Sequence, residues 1–266
     1  MPRIEAERLT MRSVLQNVRK IGFRPGTVID VGYAHGTEGL QDTFAEARHV
    51  LIDPMREAVP GMETFCAAHP GSIWFNAGAS DQEGELELVA RRGVTGSSFH
   101  TKFKHKDPEP GAELRRVPLI TLDRIVAEHD LPGPFLLKLD VEGHELHVLR
   151  GAAKLCLPKA ELVILEIGTW AENHIKGRPS MMDLFRFMED EGFVFYEFID
   201  PGYRPVDGAL YMFDALFARK DSLVRRQRSH KTDAQQEKAL RAKARRSSEE
   251  TTDLAAIRPV EEKART

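Results

Sequence analysis

Val28-Ile29-Asp30-Val31-Gly32-Tyr33-Ala34-His35-Gly36-Thr37 is an apolar, β-branched run that meets an acid, then two glycines four positions apart. A buried parallel strand, a tight turn and a following helix produce that pattern. Gly32 lets the chain turn sharply, and Gly36 is expected to let the helix pack close to the strand. Amides at the helix start then face whatever lies above the strand end. The stretch reads as a nucleotide-type cofactor site and leaves the cofactor open.

Upstream, Leu9, Val14, Leu15, Val18 and Ile21 recur at helical spacing before Gly22 and Pro25-Gly26, so residues 1–26 form a helical segment. Downstream, Glu38–Ala47 reads as a helix and Arg48–Ile52 as a second strand ending at Asp53-Pro54. Asp53 lies about 20 residues beyond the glycine turn, where a neighbouring parallel strand presents an acid to a ribose diol. A turn acid before proline is the simpler alternative. Met55–His69 reads as helix, Ser72–Ser80 as a third strand, and Glu85–Val89 as a half-exposed strand hairpinned back on it.

From Ala90 to Pro118 the periodicity dissolves into Arg, Gly, Ser, Lys and Pro, which reads as a functional loop or lid. Thr121 then caps a short helix to His129. Phe135–Leu139 is a fourth buried strand delivering Asp140, with a helix running on to about Leu155. Leu162–Ile167, a helix over Ser180–Asp190, and the strands Val194–Ile199 and Ala209–Ala218 complete a domain over residues 27–220. This order predicts an open α/β sheet, mostly parallel, closed by an antiparallel hairpin.

The formal net charge of −3 conceals an asymmetry, because residues 221–266 hold about 12 Lys/Arg against about 8 Asp/Glu. That tail has no apolar face to dock and reads as disordered or a solvated helix. The acidic remainder argues against a nucleic-acid partner, which needs a basic face. Cys66 and Cys156 are the two cysteines and fit reduced thiols. No apolar run approaches the roughly 18 residues of a membrane span, and the first ten residues lack a signal-peptide core. A cytoplasmic protein is expected.

The hydride-cofactor fingerprint needs a middle glycine so that backbone can approach a pyrophosphate. Here Ala34 stands in the gap. S-adenosylmethionine has no phosphate, and its amino-acid end carries an ammonium for which Asp30 is a suitable acid. The balance favours this methyl donor over a nicotinamide cofactor.

On these residues the sequence resembles the FkbM-type S-adenosylmethionine-dependent methyltransferases from about Val28 to Gly168. The motifs are the opening turn, Asp53-Pro54, Asn76…Asp81…Gly84, Gly96-Ser97-Ser98, Thr121-Leu122-Asp123, and Lys138-Leu139-Asp140-Val141-Glu142-Gly143-His144-Glu145 with Leu149-Arg150-Gly151. The resemblance implies a class I methyltransferase fold, Rossmann-like, with a seven-stranded sheet ordered 3-2-1-4-5-7-6. It implies methylation of hydroxyls on sugars, glycans or small natural products. Carried over, Asp30, Gly32, Tyr33 and Gly36 belong to the donor loop, Asp53 to the ribose, and Gly78 and Ala79 to the adenine edge. Tyr33 and His35 depart from the small or amide residues expected in that loop.

Methyl transfer from a sulfonium is largely alignment, but an aliphatic hydroxyl also needs its proton drawn away. Asp140, Glu142 and His144 are the candidate catalytic groups, with His144 expected to be exposed. Glu145 fits a helix-start role, and Glu166 ends the next strand at the same rim. Asp140, Glu142 and Glu166 offer oxygens that suit Mg²⁺, yet no spacing demands a metal. Ser97, Ser98, His100 and Lys102 are candidates for substrate contact in the lid. Acceptor determinants are expected there and around Trp170–Arg178. The rival readings are a nicotinamide-dependent oxidoreductase and a non-catalytic binding protein on the same fold.

Overall fold

Strand β1 (Thr27–Val31) is buried at all five positions, as a strand flanked on both edges and covered on both faces must be. The computed structural model describes residues 9–91, 96–99, 112–169 and 178–226, and in the tail 234–235, 237–238 and 240–242. The chain divides into two units, Met1–Arg225 and Arg226–Thr266.

In the first unit, β1 pairs in parallel with β2 (Arg48–Ile52) and with β7 (Phe135–Leu139). Next to β2 lies β3 (Ile73–Phe75); beyond β7 come β8 (Ala160–Gly168), then β10 (Leu210–Arg219) and, at the edge, β9 (Phe193–Tyr203). The last two run antiparallel to their neighbours, so the sheet is mainly parallel and closes with the expected hairpin.

Counted along the whole chain the order is 3-2-1-7-8-10-9, not 3-2-1-4-5-7-6. The difference arises because β4 (Gly78–Ala79), β5 (Gly84–Ala90) and β6 (Glu113–Ile120) leave to form a second sheet, ordered β4-β6-β5. The expected third strand over Ser72–Ser80 is therefore two strands in two sheets. After Phe75 the Asn76 side-chain Nδ2 donates to the Asp53 carbonyl at 2.9 Å, and the chain turns out of the main sheet. Within the expected 90–118 loop, Glu113–Pro118 is strand, paired antiparallel with Glu85–Ala90. Its alternating exposed charges hid it.

Helix α1 (Met11–Ile21) starts where Thr10 accepts from the Ser13 amide at 3.2 Å and ends at left-handed Gly22. Its buried face, Met11, Val14, Leu15 and Val18, joins Val28, Leu136, Leu162 and Leu216 on one side of the sheet. There α2 (Glu38–Thr43) lies against it. A methyl on Gly39 would press on the Arg12 backbone, so Gly39 permits this close approach. The close-packing glycine is thus Gly39 against α1, not Gly36 against β1.

Helix α3 (Val59–Ala68) lies beside the second sheet, with Met62 packed among Leu51, Met55 and Leu88. The opposite face of the main sheet carries α4 (Leu122–Glu128), α5 (Glu145–Arg150), α6 (Cys156–Lys159) and α7 (Met181–Asp190). The long helix expected after Asp140 is interrupted between α5 and α6. Asp123 causes the interruption by accepting from the amides of Lys154, Leu155 and Cys156 at 2.8–2.9 Å.

The tail departs from expectation at its start. Ser222 and the Leu223 amide hydrogen-bond Glu161, and Val224 is buried against the α1 side of the core. In the second unit, residues 234–235, 237–238 and 240–242 are helical and exposed, with an Arg241–Glu237 ion pair at 2.6 Å. Cys66 and Cys156 are both free thiols. Among the described residues no helix is long and apolar enough to cross a membrane.

Candidate functional site

The glycine turn lies at the C-terminal end of β1 and is fastened on both sides. The amides of Gly32 and Tyr33 both donate to the Ile52 carbonyl, at 2.9 and 3.3 Å, which ties the turn to β2. The Asp140 amide donates to the Val31 carbonyl at 3.0 Å, which ties it to β7. Gly32 has φ +84, and a methyl there would overlap the Asp140 carbonyl oxygen. Only glycine meets both demands. Ala34 also takes a left-handed conformation, φ +48, held by its amide donating to Asp53 Oδ2 at 2.7 Å. Gly36 closes the turn by donating to the Tyr33 carbonyl at 2.6 Å.

Above this turn opens a cleft holding about 600 Å³ of unfilled space, mouth included. Gly32, Ala34, Asp53, Asp140 and Glu142 line it beside Met55, Gly78, Ala79, Leu88, Gly96, Ser97 and Phe99. Asp53 is nearly buried, and its second oxygen accepts from the Met55 amide at 2.7 Å. Burial raises its carboxyl above the usual range, while the two amides oppose that rise. Each oxygen keeps a further lone pair for a ligand. A methyl on Gly78 would strike the Phe99 ring, so this glycine lets the aromatic wall close.

Of the residues expected at the donor, Gly32, Asp53, Gly78 and Ala79 are brought together around the cleft; Asp30, Tyr33 and Gly36 are not among its lining. Asp30 is fully buried behind the turn, 3.7 Å from Lys138 Nζ. Burial raises its carboxyl, and Lys138 counteracts it. Tyr33 turns away into the cluster of Leu51, Met55 and Met62, where burial raises its phenol. This accounts for a bulky residue in the loop: the ring packs under the second sheet. The Gly36 α-carbon instead faces the Gln41 side chain and the Tyr33 hydroxyl.

Among the candidate catalytic groups, Asp140 and Glu142 line the cleft, whereas His144 is absent from its lining. The Asp140 side chain is 37% exposed, and Oδ2 accepts from Lys138 at 3.0 Å. Glu142 occupies a left-handed position, φ +53, in a turn fixed by neighbours. Ser98 Oγ donates to the Glu142 carbonyl at 3.0 Å. Glu145, almost wholly buried, accepts from the Gly143 and Val141 amides at 3.0 and 3.3 Å. Burial and then the Asp140 charge raise the Glu142 carboxyl, against the pull of Arg178 and Arg91.

His144, expected to be exposed, is buried. Its Nε2 lies 3.0 Å from Ser80 Oγ, and its ring stacks on His147 at 4.4 Å. The one-turn spacing that suggested a base instead places the ring under the wall.

At the rim, Glu166 and Asp214 are direct partners across β8 and β10. Burial and the surrounding carboxylates push Glu166 up to about 9, and burial pushes Asp214 to about 6 despite Lys138. Ser97 lines the cleft and accepts from the Arg91 amide at 3.0 Å. His100, Lys102 and residues 170–177 lie outside the described residues. No group of three or more metal-ligating side chains is assembled among the described residues.

Sequence reasoning gave no individual role to Lys138, Asp214 or Arg178. A lysine inside the apolar run Phe135–Leu139, and an aspartate inside Leu210–Arg219, were signals available in the sequence.

A doubly wound sheet with its cleft at the strand ends, at the turn after the first strand, defines a Rossmann-like ligand-binding protein. The chain belongs to the FkbM methyltransferase family: the Methyltransferase FkbM domain model matches residues 30–195, more than half of its length. Among solved structures it is similar to an FkbM methyltransferase from Methylobacillus flagellatus KT, at 16% identity and TM-score 0.44. That match covers 71% of this chain and 43% of that protein, so the chain spans less than half of it. It is also similar to magnesium protoporphyrin IX methyltransferase from Synechocystis PCC 6803, solved with bound S-adenosylmethionine. There identity is 13%, coverage 79% of this chain and 77% of that one, and TM-score 0.41. A putative RNA methyltransferase from Pyrococcus horikoshii matches at 12% identity over 79% of this chain and 83% of that one, with TM-score 0.42. No curated protein matches the chain significantly in sequence.

Proposed function

We propose that this methyltransferase uses S-adenosylmethionine to methylate a hydroxyl of a sugar, glycan or small natural product. The supporting observation is where the turn's amides go. Those of Gly32, Tyr33, Ala34 and Gly36 all donate within the protein, to Ile52, Ile52, Asp53 and Tyr33 respectively. A pyrophosphate cofactor needs such amides free to cradle it. A phosphate-free nucleoside needs only an acid for its ribose and an apolar wall for its base. Asp53 supplies the first; Met55, Ala79, Leu88 and Phe99 supply the second.

When bound, the donor supplies a sulfonium methyl group open to in-line displacement. The chain's part is to align the acceptor, exclude water and take the hydroxyl proton. Glu142 is the group for the last task. It lines the cleft, its backbone is pinned by Ser98 and Glu145, and its raised carboxyl makes it a better proton acceptor than an ordinary glutamate.

Calorimetric titration with S-adenosylmethionine, S-adenosylhomocysteine and NAD tests the donor. Binding of the first two with no NAD binding is the expected result. Tight binding of NAD alone would make the protein an oxidoreductase and overturn the reading.

A further inference from the structure

Lys138 is a lysine in the middle of the sheet, 4% exposed, in a strand buried at every position. An ammonium there carries a large desolvation cost unless acids hold it. It stands opposite Asp30 in the parallel register of β1 and β7, and Asp140 follows two residues later, on the same face of the strand. Lys138 Nζ is 3.0 Å from Asp140 Oδ2 and 3.7 Å from Asp30 Oδ1. Burial alone would lower the ammonium, but Asp30, Asp140 and Asp214 together lift it above its ordinary value.

The two acids are unlike. Asp30 is wholly buried behind the turn, and Lys138 is its only ion-pair partner among the described residues. Asp140 sits in the cleft wall with a third of its side chain exposed.

We propose, resting on the donor reading above, that Lys138 is a positioning residue whose buried ammonium clamps Asp140 in the cleft and Asp30 behind the turn as one unit. Lys138 itself is not part of the cleft lining. Its effect reaches a ligand through Asp140, whose carboxylate is held in one orientation before anything binds, so binding carries less ordering cost. The clamp spans the seam where Gly32 touches the Asp140 carbonyl, so the turn and the cleft acid keep a fixed separation.

The test is a mutant cycle read by calorimetry with S-adenosylhomocysteine, in wild type, Asp140→Asn, Lys138→Met and Asp140→Asn/Lys138→Met. Each single change is expected to weaken binding about 10-fold, and the double change no more than either alone. Lys138→Arg, which keeps the cation, should recover most of the affinity. Losses that multiply to about 100-fold, or no loss from Lys138→Met, would overturn the proposal.

Lys138→Met strands the Asp30 charge, which alone can unfold the variant, so the cycle is repeated in an Asp30→Asn background, where the buried charge stays balanced. Thermal unfolding of the Asp30 and Lys138 variants supplies a ligand-free readout. Asp30→Asn should relieve most of the melting-temperature loss caused by Lys138→Met; additive losses there would refute the clamp. Wild type that binds no S-adenosylhomocysteine but shows this relief would sink the donor reading and leave the clamp standing.

Discussion

The half of the site around β1 and β2 differs from the rim formed by β8 and β10. Around the turn, positions are set through backbone amides: Gly32 and Tyr33 hang from the Ile52 carbonyl, Ala34 and Met55 from the Asp53 carboxylate, and Asp140 from the Val31 carbonyl. At the rim, two carboxyls from strands about 50 residues apart in sequence face each other, Glu166 and Asp214, both raised by burial among like charges. A ligand common to a whole class of enzymes can be met by fixed backbone. A ligand that differs between them has to be met by side chains at strand ends, and these cost stability when acids crowd together.

The strongest way to break that contrast is Gly32→Ala. A methyl would both overlap the Asp140 carbonyl oxygen and force a left-handed alanine, together costing about 3 kcal/mol or more. A melting-temperature fall of roughly 6–12 °C is expected for a domain of this size. An unchanged melting temperature would mean that the turn is looser than its contacts indicate.

A smaller effect is expected from Asp53→Ala. It strips the acceptor from the Ala34 and Met55 amides, each worth about 1–3 kcal/mol if left unpaired and less where water enters the cleft. Donor affinity measured by calorimetry should fall further than this structural loss alone explains, because the same carboxylate is the proposed ribose acid. Asp53→Asn, which keeps one acceptor oxygen, should restore part of the stability and little of the affinity. Equal recovery of both would reduce Asp53 to a turn residue.

The same contrast explains what was legible in the sequence. The strand–turn–helix at Val28–Thr37, the acid at Asp53 and the block Asp140–Glu145 are local patterns, and backbone contacts translate local patterns directly into geometry. Thr121 was legible as a helix cap and accepts from the Arg124 amide as expected, but the roles of Asp123 and Gly151 in their motifs were not legible. Asp123 caps the 154–156 turn, and Gly151 lets the chain pass against the Ser80 carbonyl, where a side chain would collide. His144 was misread because helical spacing near a strand end does not say whether a ring points at the cleft or beneath it. Strand β6 was missed because its charged residues Glu113, Arg115 and Arg116, with Arg115 paired to Glu57 at 2.6 Å, resemble a loop. The Glu166–Asp214 pairing had no local trace at all, since register between distant strands is a property of the folded sheet.

The rim can be probed by pH. Glu166 goes from an ordinary value of 4.5 to about 9 on folding, and Asp214 from 3.8 to about 6. A carboxyl raised by folding binds its proton more tightly in the native state than in the unfolded chain. Its favourable contribution is therefore complete below the unfolded value and is lost as pH rises through the folded one. Melting temperature is expected to decline from about pH 5 upward, with Asp214 contributing until it ionises near pH 6 and Glu166 until it ionises near pH 9. Glu166→Gln keeps the shape and stays neutral at every pH. It should leave the melting temperature near pH 5 little changed and flatten the decline above pH 6. Asp53 and Glu142 are raised by the same causes and contribute slope of the same sign, so some decline remains in the variant. A decline as steep as in wild type would show that Glu166 is ionised and compensated in the folded protein, and the rim would then resemble the half of the site around β1.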